Sequence, residues 1–297
     1  MRLCGGTGLY DRLRKKPTTF RQFTGLTVAA FDQLRDELDP VLAARKAKAQ
    51  ARRPRRRKPG AGRKPKLDPD ERLLLVLMYY RVYVTQVVLG GLFGVDAGTA
   101  CRVIRAVGLA LTGVFRIPER KVRVGADELA EAFVDATEQP THRPKRGQKR
   151  YDSGKKKRHT IKHQVVVVRK KKRPGRGGPR KRKVRIAAVS EAAPGSTHDK
   201  KVYDRSRLEL PAGVPGTGDT AYLGTRLQVP TRKPRGRPLT DRQKAGNRRL
   251  ARRRVAVEHG IGKMKVWRIA ADRYRNPRSR HTVMMKNVAG LHNRMFG

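Results

Sequence analysis

The sequence predicts an α/β protein, a mixed sheet flanked by helices, preceded by an all-helical region. Three observations carry this expectation. Residues 67–71 (Leu-Asp-Pro-Asp-Glu) have the form of a helix entry, with Asp68 as cap, Pro69 in the first turn and acids near the positive helix end. Residues 164–168 and 184–189 are short β-branched runs bounded by turn residues, which predicts an antiparallel pair joined through a basic Gly/Pro-rich tip. Thr240-Asp241-Arg242-Gln243 has capping-box spacing and opens a long helix.

Residues 73–84 form the first helix behind Asp68. Residues 85–105 then read as a helix, a tight turn at Gly94, and a second short helix, the arrangement of a helix-turn-helix. The second helix sets Thr99, Arg102 and Arg105 three residues apart, with Val103, Ile104 and Val107 left for packing. A recognition helix entering a major groove needs that division of faces. Such helix pairs also occur in ordinary bundles, and the basic surroundings favour the DNA-reading alternative. Residues 26–38, with Phe31, Leu34 and Leu38, form an amphipathic helix suited either to packing on this region or to dimerisation.

Charge bounds the partner. Among 297 residues, 73 Lys and Arg face 24 Asp and Glu, a formal charge of +49. So large an excess repels itself, and a polyanion relieves it. Three basic stretches, residues 45–66, 169–185 and 230–238, punctuate the chain; the first reads as a mobile arm or linker. Cys4 and Cys101 are the only cysteines, which disfavours a disulfide framework and a zinc finger. The N-terminus lacks the apolar stretch of a secretory signal, and the longest apolar runs fall short of the ~20 residues of a membrane span, so a cytoplasmic protein with no membrane partner is expected. Aromatics at 5% leave little stacking surface for an RNA-binding alternative.

In so basic a chain, isolated acids call for a reason, and three stand out: Asp135, Asp219 and Glu258. Asp135 ends the apolar run Ala132-Phe133-Val134, the shape of a strand delivering a carboxylate at its C-terminal edge. Asp219 follows a Gly/Pro-rich turn, and Glu258 lies inside the helix begun at Thr240. Carboxylates brought to one point repel, and hard divalent cations are the usual remedy. Any one of these acids taken singly reads better as an ordinary surface or capping residue; their joint placement argues for metal chemistry on phosphodiesters.

From Phe133 to Asn293 the chain resembles the DDE superfamily endonucleases of bacterial insertion-sequence transposases. Asp135-Ala136-Thr137-Glu138 and Gly218-Asp219-Thr220-Ala221-Tyr222-Leu223-Gly224 resemble the segments of the first and second aspartates. Gly195-Ser196-Thr197-His198-Asp199 resembles the segment opening the helix between them. Arg254, three residues, Glu258, six residues and Lys265 reproduce the family's Arg, Glu and Lys signature; a Tyr often stands ahead of it, where this chain has Ala251. The resemblance implies a ribonuclease-H-like catalytic domain over residues 121–297. Asp135, Asp219 and Glu258 would be both catalytic and metal-holding for Mg²⁺ or Mn²⁺, with Arg254 and Lys265 supporting the DNA phosphate or transition state. Upstream it implies an N-terminal helical segment (1–44), a basic linker (45–66) and a helix-turn-helix region (67–120) with Thr99, Arg102 and Arg105 reading DNA. The implied partners are duplex DNA, both terminal inverted repeats and target, and further copies of the chain in a homo-oligomer on DNA. The implied activity is strand cleavage at element ends, then attack of the freed 3′-hydroxyl on target DNA. The rival reading is a domesticated, non-catalytic DNA-binding protein of the same origin. His159, His163 and His198 read as structural or phosphate-contacting groups rather than metal ligands, and Trp267 and Ile269 as core.

Overall fold

The computed structural model describes residues 8–51, 65–125, 127–171 and 184–296. Residues 52–64, most of the basic arm, and 172–183, the hairpin tip, lie outside the described residues. The chain divides into two compact units: the N-terminal part through Arg116 together with Trp267–Ile269, and Ile117–Val266 together with Ala270 onward.

The first unit is helical: α1 (Leu9–Arg14), α2 (Pro17–Thr24), α3 (Val28–Ala51), α4 (Pro69–Val82), α5 (Gln86–Phe93) and α6 (Ala97–Phe115). Tyr10, Phe20 and Phe31 form a buried aromatic cluster, with Phe20 and Phe31 edge to face at 5.3 Å. Asp68 caps α4 in a full capping box: its carboxylate accepts from Glu71 N at 2.7 Å, and the Glu71 carboxylate accepts from Asp68 N at 3.1 Å. Gly25 is left-handed (φ 73°), and a Cβ there would lie 2.6 Å from the fully buried ring of Trp267, so both the turn and the contact require glycine.

Two expectations for this unit need correction. The amphipathic helix expected over residues 26–38 continues to Ala51, so the basic stretch begins as exposed helix and not as linker. The short second helix of the helix-turn-helix is the 19-residue α6, long and apolar enough in composition to cross a membrane. Its buried Ala100, Val107, Ala110 and Leu111 pack inside the helical unit, where α6 meets α3, α4 and α5.

The second unit holds the mixed sheet. β1 (Leu129–Pro140) pairs antiparallel with β3 (Arg158–Lys170), and β3 pairs antiparallel with β4 (Val184–Val189), the strand pair the β-branched runs predict. β2 (Asp152–Ser153) and β5 (Ala193–Pro194) add short antiparallel pairings to β3, while β6 (Gly216–Thr217) lies parallel to β1. Helices α7 (Gln148–Tyr151), α8 (Asp199–Ser206), α9 (Asp241–Lys265), α10 (Arg268–Ala271) and α11 (His281–Phe296) complete the chain. Thr240 caps α9 through the expected capping box.

Alternation along β1 assigns its two faces. Ala132 and Val134 join Val166, Val168, Tyr222 and Leu227 in one apolar layer. Glu131, Phe133 and Asp135 face the other way, toward α9. Two contacts fix α9 there. Arg253 Nε donates to Glu131 at 2.7 Å, and Glu131 is also paired with Arg169 of β3. Gly260 lies flat on the sheet, where a Cβ would come within 3.1 Å of Val167. On β4, Asn293 of α11 satisfies both backbone groups of Ile186, each at 2.8 Å.

A buried histidine pair joins β3 to the start of α11. His163 and His281 are stacked, His163 Nε2 lies 2.7 Å from His281 Nδ1, and the outer nitrogens reach the Ser190 carbonyl and Gln139. Burial, opposed by the Ser190 carbonyl, lowers His163 to about 4, and burial lowers His281 well below the usual range. A histidine depressed when folded binds its proton only in the unfolded chain between about pH 6.5 and 4, so stability falls as pH falls through that window. We expect denaturation midpoints to drop between pH 7 and pH 5, with a limiting slope of about 1.4 kcal/mol per pH unit for each such histidine. A flat stability profile there would show the pair to titrate as it does in the unfolded chain, and a rise in stability toward pH 5 would show it charged when folded.

Candidate active site

The parallel register of β6 on β1 brings the two candidate aspartates abreast. Ala132 pairs with Gly216 and Phe133 with Thr217, and the same offset carried two residues further sets Asp135 beside Asp219. Asp135 therefore does not end its strand, as the apolar run suggested; β1 continues to Pro140, and β6 is the strand that stops. Asp219 follows that end and caps a single 3₁₀ turn, its carboxylate accepting from Ala221 N at 3.0 Å. Asp135 accepts from Ala136 N at 2.8 Å. Since Asp135 is on the α9 face of β1, the anchored half of α9 carries Glu258 to the same place.

The result is one cleft of about 210 Å³ lined by Asp135, Glu138, Asp199, Asp219 and Glu258 together with Lys155, Lys156 and Lys265. Arg254, one turn before Glu258, approaches Asp135 at 3.9 Å. Burial above all, and then the charges of Asp219 and Asp199, hold the Asp135 carboxyl above the usual aspartate range against the Ala136 amide and Arg254. Desolvation in the cleft, and next the like charge of Lys156, lower the Lys265 ammonium below the ordinary lysine range. All three sequence-predicted carboxylates, with Lys265, thus line one space, and Arg254 borders it.

A divalent cation fits the donor chemistry, since Asp135, Asp219 and Glu258 offer hard oxygen ligands on rigid elements. Three buried polar atoms near them, Thr217 Oγ1, Tyr222 Oη and Arg254 Nε, have no hydrogen-bond partner. Among the described residues, however, no three His, Cys, Asp or Glu side chains converge closely enough to hold one ion in this conformation.

Sequence reasoning missed the support beneath the cleft. Lys162, 6% exposed, sits opposite Glu138 in the β1–β3 register. Its ammonium donates to Asp199 Oδ1 and to the Thr197 carbonyl, both at 2.7 Å, and lies 3.3 Å from Glu138. Burial opposes ionisation of Glu138, yet hydrogen bonds from Ser153 and Thr160 and the charge of Lys162 hold its carboxyl below the usual range. One Lys among 73 basic residues carries no signal of this; its place inside a strand is the only sequence cue, and the run recognised began later, at residue 164. Of the histidines, His163 is core and His198 caps α8, its ring accepting from Lys200 N at 3.3 Å.

In the helical unit, Thr99, Arg102 and Arg105 share one side of α6, with Arg102 and Arg105 exposed. Asp96 caps α6 and accepts from Thr99 Oγ1 at 2.6 Å, while Arg102 donates to the same hydroxyl at 2.7 Å. Thr99 is therefore already engaged within the protein, while Arg105 is exposed one turn further along α6.

A helical unit with a turn bounded by capped helices, followed by a mixed sheet with an acidic cleft, describes a class; comparison with known proteins supplies the family. The model for DDE superfamily endonuclease matches residues 134–293, and that for the helix-turn-helix of DDE superfamily endonuclease matches residues 65–112. The chain belongs to the DDE superfamily endonucleases. It is 29% identical over 282 residues to a Microchaete diplosiphon protein described as transposase for insertion sequence element IS702, covering 92% of this chain and 93% of that one. It is also 29% identical over 280 residues to a Streptomyces albus G protein described as transposase for insertion sequence element IS112, covering 94% and 95%. No solved structure matches it significantly.

Proposed function

We propose that this protein is an insertion-sequence transposase that cuts DNA strands at the element ends and joins the freed 3′-hydroxyl to target DNA. The observation that carries the reading is the register of β6 on β1, which sets Asp135 beside Asp219 under the helix bearing Glu258. In this reading Asp135, Asp219 and Glu258 hold Mg²⁺ or Mn²⁺. The bound cations would supply charge neutralisation and activation of the attacking water or hydroxyl. Arg254 and Lys265, flanking Glu258 on α9, bind the phosphates on either side of the scissile bond and keep it in line for attack. Near-full-length likeness to two transposases supports the assignment. The test is Mg²⁺-dependent cleavage of a duplex carrying the inverted repeats that flank the gene; no cleavage with any divalent cation would favour the non-catalytic DNA-binding reading.

DNA reading is assigned to α6. Arg102→Ala and Arg105→Ala are each expected to weaken specific binding by about 1–3 kcal/mol if they touch base edges. Because Arg102 is already engaged by Thr99, Arg105→Ala should have the larger effect. Equal losses on random and specific duplexes in a competition titration would reassign both side chains to phosphate.

A further inference from the structure

Only the second half of α9 belongs to the core. Its buried residues are Ala256, Val257, Gly260, Ile261 and Met264, whereas none from Asp241 to Val255 is buried. The exposed half is not free of order, because the preceding loop is clasped to it. Asn247 Oδ1 accepts from Thr231 N at 2.8 Å, and Asn247 Nδ2 donates to the Thr231 carbonyl at 3.0 Å. Residues 232–252 carry nine bases and one acid, and that acid, Asp241, is engaged by Lys244 at 3.1 Å.

This composition works against the helix itself. Lys244 and Arg248, then Arg248 and Arg252, are like charges four residues apart, each pair costing an isolated helix about 0.2–0.5 kcal/mol. A merely solvated helix face mixes signs to avoid that cost. Here the repulsion is retained, on a segment without a fully buried residue that is pinned to a second basic segment.

We infer that the exposed half of α9 and its clasped loop form a prong that grips the phosphate backbone of duplex DNA beside the cleavage point, without reading its sequence. The inference rests on the reading that the cleft holds the scissile phosphodiester. At 1.5 Å per residue, Arg252 lies about 9 Å and Arg242 about 24 Å from Glu258 along the helix. A duplex lying along the prong is then held roughly 3 to 7 base pairs from the cut, over a stretch bearing about nine phosphates.

The test uses the full chain in EDTA with a random 30-base-pair duplex, so that binding is read whether or not the protein cuts. Arg248→Gln/Arg249→Gln/Arg252→Gln is compared with Arg12→Gln/Lys15→Gln/Lys16→Gln, which removes equal charge from exposed positions on and just after α1. The α9 variant is expected to flatten the slope of log K against log salt by about two to three, near 0.9 for each lost phosphate contact. The control should change it by less than one, and the α9 variant should melt at or above the wild-type temperature. Equal slope changes in the two variants would reduce the prong to general charge. A lowered melting temperature would make these arginines part of the fold, and an equal loss on single-stranded RNA would remove the commitment to duplex. Absence of cleavage by the wild-type chain, by contrast, would bear on the cleft and leave the binding result standing.

Discussion

Asp135→Ala, Asp219→Ala and Glu258→Ala are each expected to lower Mg²⁺-dependent strand cleavage by at least about a thousandfold, some 4 kcal/mol of transition-state stabilisation, while duplex affinity stays within about threefold. The separation follows from division of labour: carboxylates repel phosphate and earn a place in a DNA-binding cleft only through cations. Arg254→Ala and Lys265→Ala should cost at least about tenfold in cleavage with little change in melting temperature, since neither fills the core. Robust cutting by any carboxylate variant, measured in single-turnover assays on end-bearing duplex, would remove that residue from the metal-holding set. Retention of activity in all three would move the chemistry elsewhere.

Lys162→Met is expected to have the largest effect on stability of any single change to a charged residue at the cleft, for a different reason. The substitution leaves Glu138 and Asp199 facing each other without their shared cation, and breaking a buried ion pair on one side costs about 3–5 kcal/mol. In a unit of this size that is a fall on the order of 10 °C in melting temperature. Adding Glu138→Gln and Asp199→Asn to Lys162→Met should restore much of the loss, because the uncompensated charges then disappear. A drop below about 1 kcal/mol for Lys162→Met alone would show the cluster to be solvent-screened.

The two effects separate residues that composition cannot distinguish. Glu138 and Asp199 line the same cleft as Asp135 and Asp219, yet Lys162 already engages them. Among the described residues, Asp135 is met by a distant guanidinium, at 3.9 Å, and one backbone amide. Glu138→Gln is thus expected to act mainly on stability and Asp135→Ala mainly on chemistry.

Local signals account for what the sequence determined alone. The caps at Asp68 and Thr240, the turn at Gly94 and the β-branched runs of β3 and β4 depend on neighbours within a few residues, so their outcome is written in the chain. The scarcity of acids in a +49 chain likewise singled out Asp135, Asp219 and Glu258 before any fold was known. Pairing across long separations was not legible. That β1 runs past Asp135, that the two-residue β6 aligns Asp219 with it, and that α6 continues to Phe115 depend on which surfaces meet. The clearest case is Lys162: in sequence it is one base among many, and it becomes a buried support only because β1 places Glu138 opposite it and α8 brings Asp199 over both. Tertiary structure alone decides such roles, because the cost of an unpaired buried charge is set by surroundings that the residue's own sequence neighbours do not specify.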